Sequence, residues 1–227
     1  MIPKERFGSG RIKEYEKLIQ TNWWVVTGGP STGKTTLLEE LARRGYKTKP
    51  EAARVYIDDE INHGMSIGQI RVSESGFQEV LIYMKEGIED AASPNDLIFW
   101  DRGLHGDSMA YFALSSSGDS IPRVARETET SDRLLEGDIR TVVTHSYRGV
   151  FLLDRLPYVR DYARTEDETQ ANRVHSLIGQ MYGIFGYQPI RVPVLPVVER
   201  AQFVVDRVRE LVPTVPNLSS PQLTLQI

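Results

Sequence analysis

The most reactive-looking stretch of the chain reads WWVVTGGPSTGKTTLL from Trp23 to Leu38. Within it, Gly28, Gly29, Pro30, Ser31, Thr32, Gly33, Lys34 and Thr35 satisfy the spacing GxxxxGK[ST] in full, and Thr36 follows. A run so rich in glycine buries little surface and loses much conformational freedom on folding, so folding stability does not account for it. Phosphate chemistry does. Glycines let backbone N–H groups turn inward toward phosphate oxygens, and a helix starting at Lys34 adds unsatisfied amides and its positive dipole end. Lys34 would pair with β- and γ-phosphates, Thr35 would give a hydroxyl to Mg²⁺, and Thr36 would lie near the α-phosphate. The spacing predicts a nucleoside triphosphate site.

Transfer of a γ-phosphoryl group also needs a metal, a positioned acceptor and further positive charge. Two apolar runs end in an aspartate: LIFW before Asp101 and VFLL before Asp154. Asp101 is the favoured Mg²⁺ ligand, because Arg102 and Gly103 follow with a charge and a backbone that a ligand can approach closely. An N-cap role is the alternative for Asp101, and for Asp154 the two readings stand level. Glu51 and Arg54 share a helical face just past a short strand. There Glu51 would orient the acceptor or act as general base, with Arg54 as a phosphate or acceptor ligand. Their alternative is an exposed ion pair worth under ~1 kcal/mol. Arg155, Arg160 and Arg164 form a cluster over residues 155–172 suited to a lid that closes over phosphates. Asp161, Glu166, Asp167 and Glu168 balance that charge, so a solvated helix is the competing reading.

Elements able to hold these residues follow from the periodicity. Apolar β-type runs are expected at 23–27, 96–100, 149–153 and 189–194, with a shorter one at 46–49. Helices are expected at 34–44, 51–61, 75–92, 166–185 and 198–211, with shorter ones at 12–20 and 107–114 and a charged one at 123–139. Strands alternating with helices mean an α/β fold: a central parallel sheet of about five strands flanked by helices in three layers. Residues 1–21 read as an extension, 22–212 as the domain, and 213–227 as a polar, proline-rich tail.

Bulk composition narrows the partners. The 227 residues suffice for one α/β domain. A formal charge of −4 and a pI near 5.7 argue against a non-specific nucleic-acid or membrane-surface binder. There is no cysteine, which excludes disulfides and thiol chemistry and fits a reducing, cytoplasmic setting. No run approaches the ~18 apolar residues of a membrane span. The four histidines show no ligand spacing and read as structural or surface residues.

The ordered set GGPSTGKTT, EAAR (51–54), FWDRG (99–103), RDYAR (160–164) and RVPVLPVVER (191–200) resembles the predicted-ATPase AAA-domain family of P-loop proteins. That family groups with the ribosylnicotinamide-kinase domain of nicotinamide-nucleotide regulator proteins, and the likeness covers roughly residues 22–212. It implies a kinase-like P-loop fold, ATP or GTP with Mg²⁺, and an arginine-bearing lid. By motif it carries over Lys34, Thr35, Asp101, Arg102, Arg160 and Arg164, while Arg200 either reaches the nucleotide or caps its helix. His105 and Gly106 separate the DRG from Asp107, whose role stays open. The expected activity is phosphoryl transfer to a small hydroxyl-bearing acceptor such as a nucleoside, nucleotide or riboside. The alternative is a nucleotide-hydrolysing switch that signals to a protein partner. ATP is favoured because no N-K-x-D guanine signature occurs, and a homodimer is compatible with the sequence.

Overall fold

The structure is a computed structural model that describes residues 19–111, 145–157 and 167–212. In chain order its elements are β1 (Ile19–Gln20), β2 (Trp23–Thr27), α1 (Lys34–Arg43), β3 (Lys47–Lys49), α2 (Ala52–Asn62), α3 (Ile67–Ile70) and α4 (Glu74–Asp90). There follow β4 (Ile98–Asp101), a π-helical turn (Leu104–Ser108), β5 (His145–Ser146), β6 (Gly149–Leu153), α5 (Glu168–Ile184), β7 (Ile190–Val192) and α6 (Val197–Leu211). Five strands form a parallel sheet in the order β3-β4-β2-β6-β7, so β2 lies at its centre.

Side chains alternate across β2 as the two-residue period of a strand requires. Trp23 and Val25 pack with Trp100, Val150 and residues of α4 and α5 such as Ile82, Val174 and Ile178. Trp24 and Val26 pack on the opposite face with Leu37 and Leu41 of α1 and with Val204 and Val208 of α6. All five residues of β2 are buried. Being covered by helices on both faces is why β2 reads as a continuous apolar run rather than an alternating one. The C-terminal ends of β2 and β4 therefore open side by side at one edge of a rigid three-layer core.

The sequence expectation differs from the structure in three places. Ile19–Gln20 is a short strand, not the end of a helix over 12–20: it pairs in parallel with His145–Ser146, and Thr21 Oγ1 donates to Ser146 O at 2.7 Å. Pairing with a distant segment outweighs a weak, uncapped helical pattern. The short helix expected over 107–114 is entered through a π-helical turn, Leu104–Ser108, before helical residues 109–111, and within that turn the Asp107 carboxylate accepts bonds from Gly103 N and Tyr182 Oη. The turn of helix over Ile67–Ile70 escaped the apolar pattern and is set by a capping box between Ser66 and Gln69. The charged helix expected at 123–139 and the C-terminal tail lie outside the described residues, as does most of the N-terminal extension.

Candidate functional site

The loop after β2 wraps around the start of α1. Gly28 and Gly33 have φ of 140° and 79°, and Ser31 has φ of 59°. Only glycine adopts the left-handed region at little cost, so Ser31 stores backbone strain of order 1–3 kcal/mol. Non-glycine residues with positive φ among those described are Ser31 and Arg102, and both line one cleft. Lys34 is buried within the loop, its Nζ donating to Gly28 O at 2.9 Å and Gly29 O at 3.0 Å. Burial and the neighbouring Arg102 charge pull its pKa down to about 8.

The loop is braced from three other elements. Arg200 of α6 donates to Thr32 O at 2.6 Å, Pro193 O at 2.9 Å and Asp154 O at 3.1 Å. Its guanidinium thus ties the loop to the ends of β6 and β7 through backbone carbonyls. Arg155 donates to Pro30 O at 3.3 Å. His175 of α5 accepts the Gly29 N–H at Nδ1, 3.2 Å away, a contact that no motif or spacing signals. Burial and the adjacent Arg155 hold the pKa of His175 below its ordinary value, which keeps the ring a neutral acceptor.

Asp101 ends β4 beside the loop and is buried, with no hydrogen-bond partner on Oδ1. Burial and the nearby Glu51 charge push its pKa up to about 6. A buried, unpartnered carboxylate oxygen facing a cleft suits a cation. Thr35 lines the same cleft. One carboxylate and one hydroxyl match the sparse protein donor set with which Mg²⁺ is usually bound, the rest being phosphate oxygens and water. Asp154, its rival in sequence, turns away: both Nε and Nη2 of Arg191 donate to its Oδ1, at 3.1 and 2.8 Å.

The turn after β4 aims Arg102. Its φ of 66° swings the guanidinium back so that Nε donates to Glu51 Oε1 at 2.6 Å and Nη1 to Asp107 Oδ1 at 3.3 Å. Glu51, the N-cap residue of α2, is pushed up by burial, yet the Arg102 and Lys34 charges outweigh this and hold its pKa near 2. Glu51 therefore pairs with Arg102 inside the cleft. Asp107, left open by the sequence, accepts bonds from Thr27 Oγ1 at 2.5 Å, Gly103 N at 2.9 Å and Tyr182 Oη at 2.7 Å. It locks the turn that carries Arg102.

These groups border a cleft of about 210 Å³. One end is the glycine-rich loop, and the other is walled by α2 and α4, where Arg54, Phe77, Gln78 and Lys85 face it with Arg71 and Tyr111. Lys34, Thr35, Thr36, Glu51, Arg54, Asp101 and Arg102 thus come together, whereas Arg160 and Arg164 lie outside the described residues. Lys85 was missed in the sequence reading. Its signal was a charge standing on the apolar stripe Phe77, Leu81, Lys85 at helical spacing.

No helix among the described residues is long and apolar enough to cross a membrane. No curated protein matches the sequence significantly. Among solved structures the chain is similar to the NadR protein in complex with NAD and AMP-PNP. That match has 18% identity and a TM-score of 0.58, over 92% of this chain and 54% of that one. It is similar too to deoxyadenosine kinase from M. mycoides with dCMP and a flexible dCDP bound, at 14% identity and a TM-score of 0.55 over 83% of this chain and 99% of that one. At such identities the likeness is one of fold, and the chain spans about half the length of the NadR chains it matches. The AAA-domain family matches residues 23–200, the stretch that runs from the start of β2 to Arg200. On that match the chain belongs to the AAA-domain family of P-loop NTPases.

Proposed function

We propose that the protein is an ATP- and Mg²⁺-dependent phosphotransferase acting on a small hydroxyl-bearing acceptor such as a nucleoside, nucleotide or riboside. The observation that carries this reading is the continuous cleft. A phosphate-binding loop at one end meets a walled compartment at the other, and the Glu51–Arg102 pair stands between them at 2.6 Å. The part of the cleft walled by α2 and α4, with aromatic and polar side chains, offers room for an acceptor beside the nucleotide. The fold shared with NadR and deoxyadenosine kinase supports the same direction.

In this reading the loop amides and Lys34 hold the triphosphate. Thr35 and Asp101 would hold Mg²⁺, which neutralises charge developing on the phosphate oxygens. Glu51, kept ionised by Arg102, accepts the hydrogen bond of the acceptor hydroxyl and orients its oxygen in line with the γ-phosphorus. The oxygen–phosphorus bond forms as the bond to the β,γ-bridging oxygen breaks, and ADP leaves with that electron pair. The hydroxyl proton passes to Glu51 late, once bonding to phosphorus has made it acidic. Arg102 lies beside the transferred group, where a cation lowers the barrier. Arg160 and Arg164 would supply further positive charge.

The test follows the γ-phosphate of labelled ATP, and in parallel GTP, with Mg²⁺ and pooled nucleosides, nucleotides and ribosides. Label on an organic acceptor, absent with Lys34→Ala, supports the phosphotransferase. Label released only as inorganic phosphate favours the hydrolytic switch instead.

A further inference from the structure

Lys85 is a buried cation that the mechanism above leaves without a task. Its side chain is 4% exposed and lines the acceptor half of the cleft, one turn along α4 from Leu81 and two from Phe77. Nζ donates to two backbone carbonyls, those of Asp101 at 3.4 Å and of Arg102, and it lies 5.2 Å from the ring centre of Trp100. An ammonium has three donors, so one N–H remains. Among the described residues no carboxylate comes within ion-pairing distance of it, the acids Glu89, Asp107, Asp101 and Glu51 acting only from farther away. Burial accordingly pulls its pKa down.

An unpaired buried charge is expensive and persists where function requires it. Hydrogen-bonding to two carbonyls would be met as well by a neutral donor, so the turn alone does not require a lysine. What the charge adds is attraction for an anion entering the cleft. Arg54 and Arg71 line the same cleft, and two of its three acids are engaged, Glu51 by Arg102 and Asp107 by Thr27, Gly103 and Tyr182, while the third, Asp101, is the one suited to a cation. The guanidiniums of Arg71 and Arg102 lie over the rings of Phe77 and Tyr111, at 5.0 and 5.1 Å, which holds further positive charge at the cleft wall.

We propose that Lys85 is a specificity-determining residue that pairs with an oxyanion on the acceptor, so that the preferred acceptor is a small molecule carrying a phosphomonoester or carboxylate. The inference rests on the phosphotransferase reading and narrows it from neutral to anionic acceptors.

The test is calorimetric binding in the presence of Mg²⁺ and AMP-PNP. Four ribonucleosides are compared with their 5′-monophosphates and with hydroxycarboxylates such as glycerate, for the wild type and Lys85→Gln. Glutamine keeps a donor for the carbonyls and removes the charge. Lys85→Met, close in volume and uncharged, serves as the second variant where Lys85→Gln is unstable. The expected result is at least tenfold tighter binding of one anionic class over the nucleosides, a preference lost in the variant while Mg–AMP-PNP affinity is retained. Whether the monophosphates or the hydroxycarboxylates gain identifies the oxyanion. Equal wild-type affinity for neutral and anionic acceptors overturns the inference, and label transfer to a neutral nucleoside would then leave the phosphotransferase reading standing. Weakened AMP-PNP binding in the variant overturns it too, since the anion would be the γ-phosphate. Should no acceptor bind while ATP yields only inorganic phosphate, the phosphotransferase reading itself falls and takes this inference with it.

Discussion

Replacing Asp101 by asparagine should make the protein more stable and less able to use Mg²⁺, and the first effect can be worked out from the structure. The Asp101 carboxyl titrates near 6 in the folded chain, against an ordinary value of 3.8. A folded-state pKa raised in this way means that the folded protein prefers the protonated form. The penalty for ionisation is absent below pH 3.8, grows as pH rises through the interval to 6, and is complete above it. Its full size is about 3 kcal/mol, since each pKa unit is worth about 1.4 kcal/mol. Asparagine never ionises and so escapes the penalty, but its amide N–H group enters a place where Oδ1 had no partner, at a cost of about 1 kcal/mol. The variant should therefore gain about 2 kcal/mol at pH 7.5, a rise in Tm of roughly 4–8 °C for a domain of this size. Near pH 4 the gain should vanish or reverse. The amide term is the same at both pH values, so thermal unfolding at the two isolates the carboxylate. In parallel, calorimetric titration with ATP should show that Mg²⁺ strengthens binding to the wild type but not to Asp101→Asn. A variant less stable than the wild type by the same amount at both pH values would refute the reasoning. It would mean that Asp101 is held by favourable contacts and not poised for a cation.

Three further outcomes test neighbouring parts of the site. Lys34 titrates near 8, and only its charged form attracts phosphate, so ATP affinity should be flat below that pH and fall about tenfold per unit above it. Calorimetry from pH 7 to 9.5 checks this, and a flat profile would assign the phosphate contact elsewhere. If Glu51 orients the acceptor as proposed, Glu51→Gln should lower the transfer rate by about 10²-fold or more with little change in nucleotide affinity; equal loss of nucleotide binding would place Glu51 on the triphosphate instead. At Gly106 an added Cβ would lie 2.2 Å from ring carbons of Tyr182, whose hydroxyl holds Asp107. Gly106→Ala should therefore destabilise by about 3 kcal/mol in urea unfolding and slow transfer through a displaced Arg102.

What the sequence disclosed and what it withheld divide along a physical line. The phosphate loop was legible because its chemistry resides in backbone amides and glycine spacing, which are local. The sheet was legible because strands covered on both faces are apolar throughout. Choosing between Asp101 and Asp154 was another matter, since both end strands that flank β2. What distinguishes them is Arg191, on an edge strand 37 residues farther on, which engages Asp154 and leaves Asp101 the one lining the cleft. The partner of Glu51 was likewise invisible: Arg54 lies three residues away, but the strained turn at Arg102 delivers a guanidinium from 51 residues away. His175 and Lys85 belong to the same class. Each sits on a helix whose apolar pattern explains its placement, and only the packing of a distant loop or strand end against that helix gives the polar group a purpose.

The withheld part is also where the electrostatics of the site are made. Glu51 and Asp101 are both buried carboxylates bordering one cleft, yet one titrates near 2 and the other near 6. The difference comes from geometry: Arg102 donates to Glu51 at 2.6 Å, whereas an oxygen of Asp101 is left without any donor. Two acids pushed apart in this way are suited to different tasks. A carboxylate already satisfied by a guanidinium stays ionised and can orient a hydroxyl across the working pH range. A carboxylate that is costly to ionise alone gains most from a cation, so a cation held there would offset a cost that the fold carries without it. The turn at Arg102 is the element that enforces this division, and it is fixed in turn by Lys85 on its carbonyls and by Asp107 through Tyr182 and Thr27. Substitutions that loosen that turn should bring the two carboxyl pKa values toward each other before they unfold the sheet.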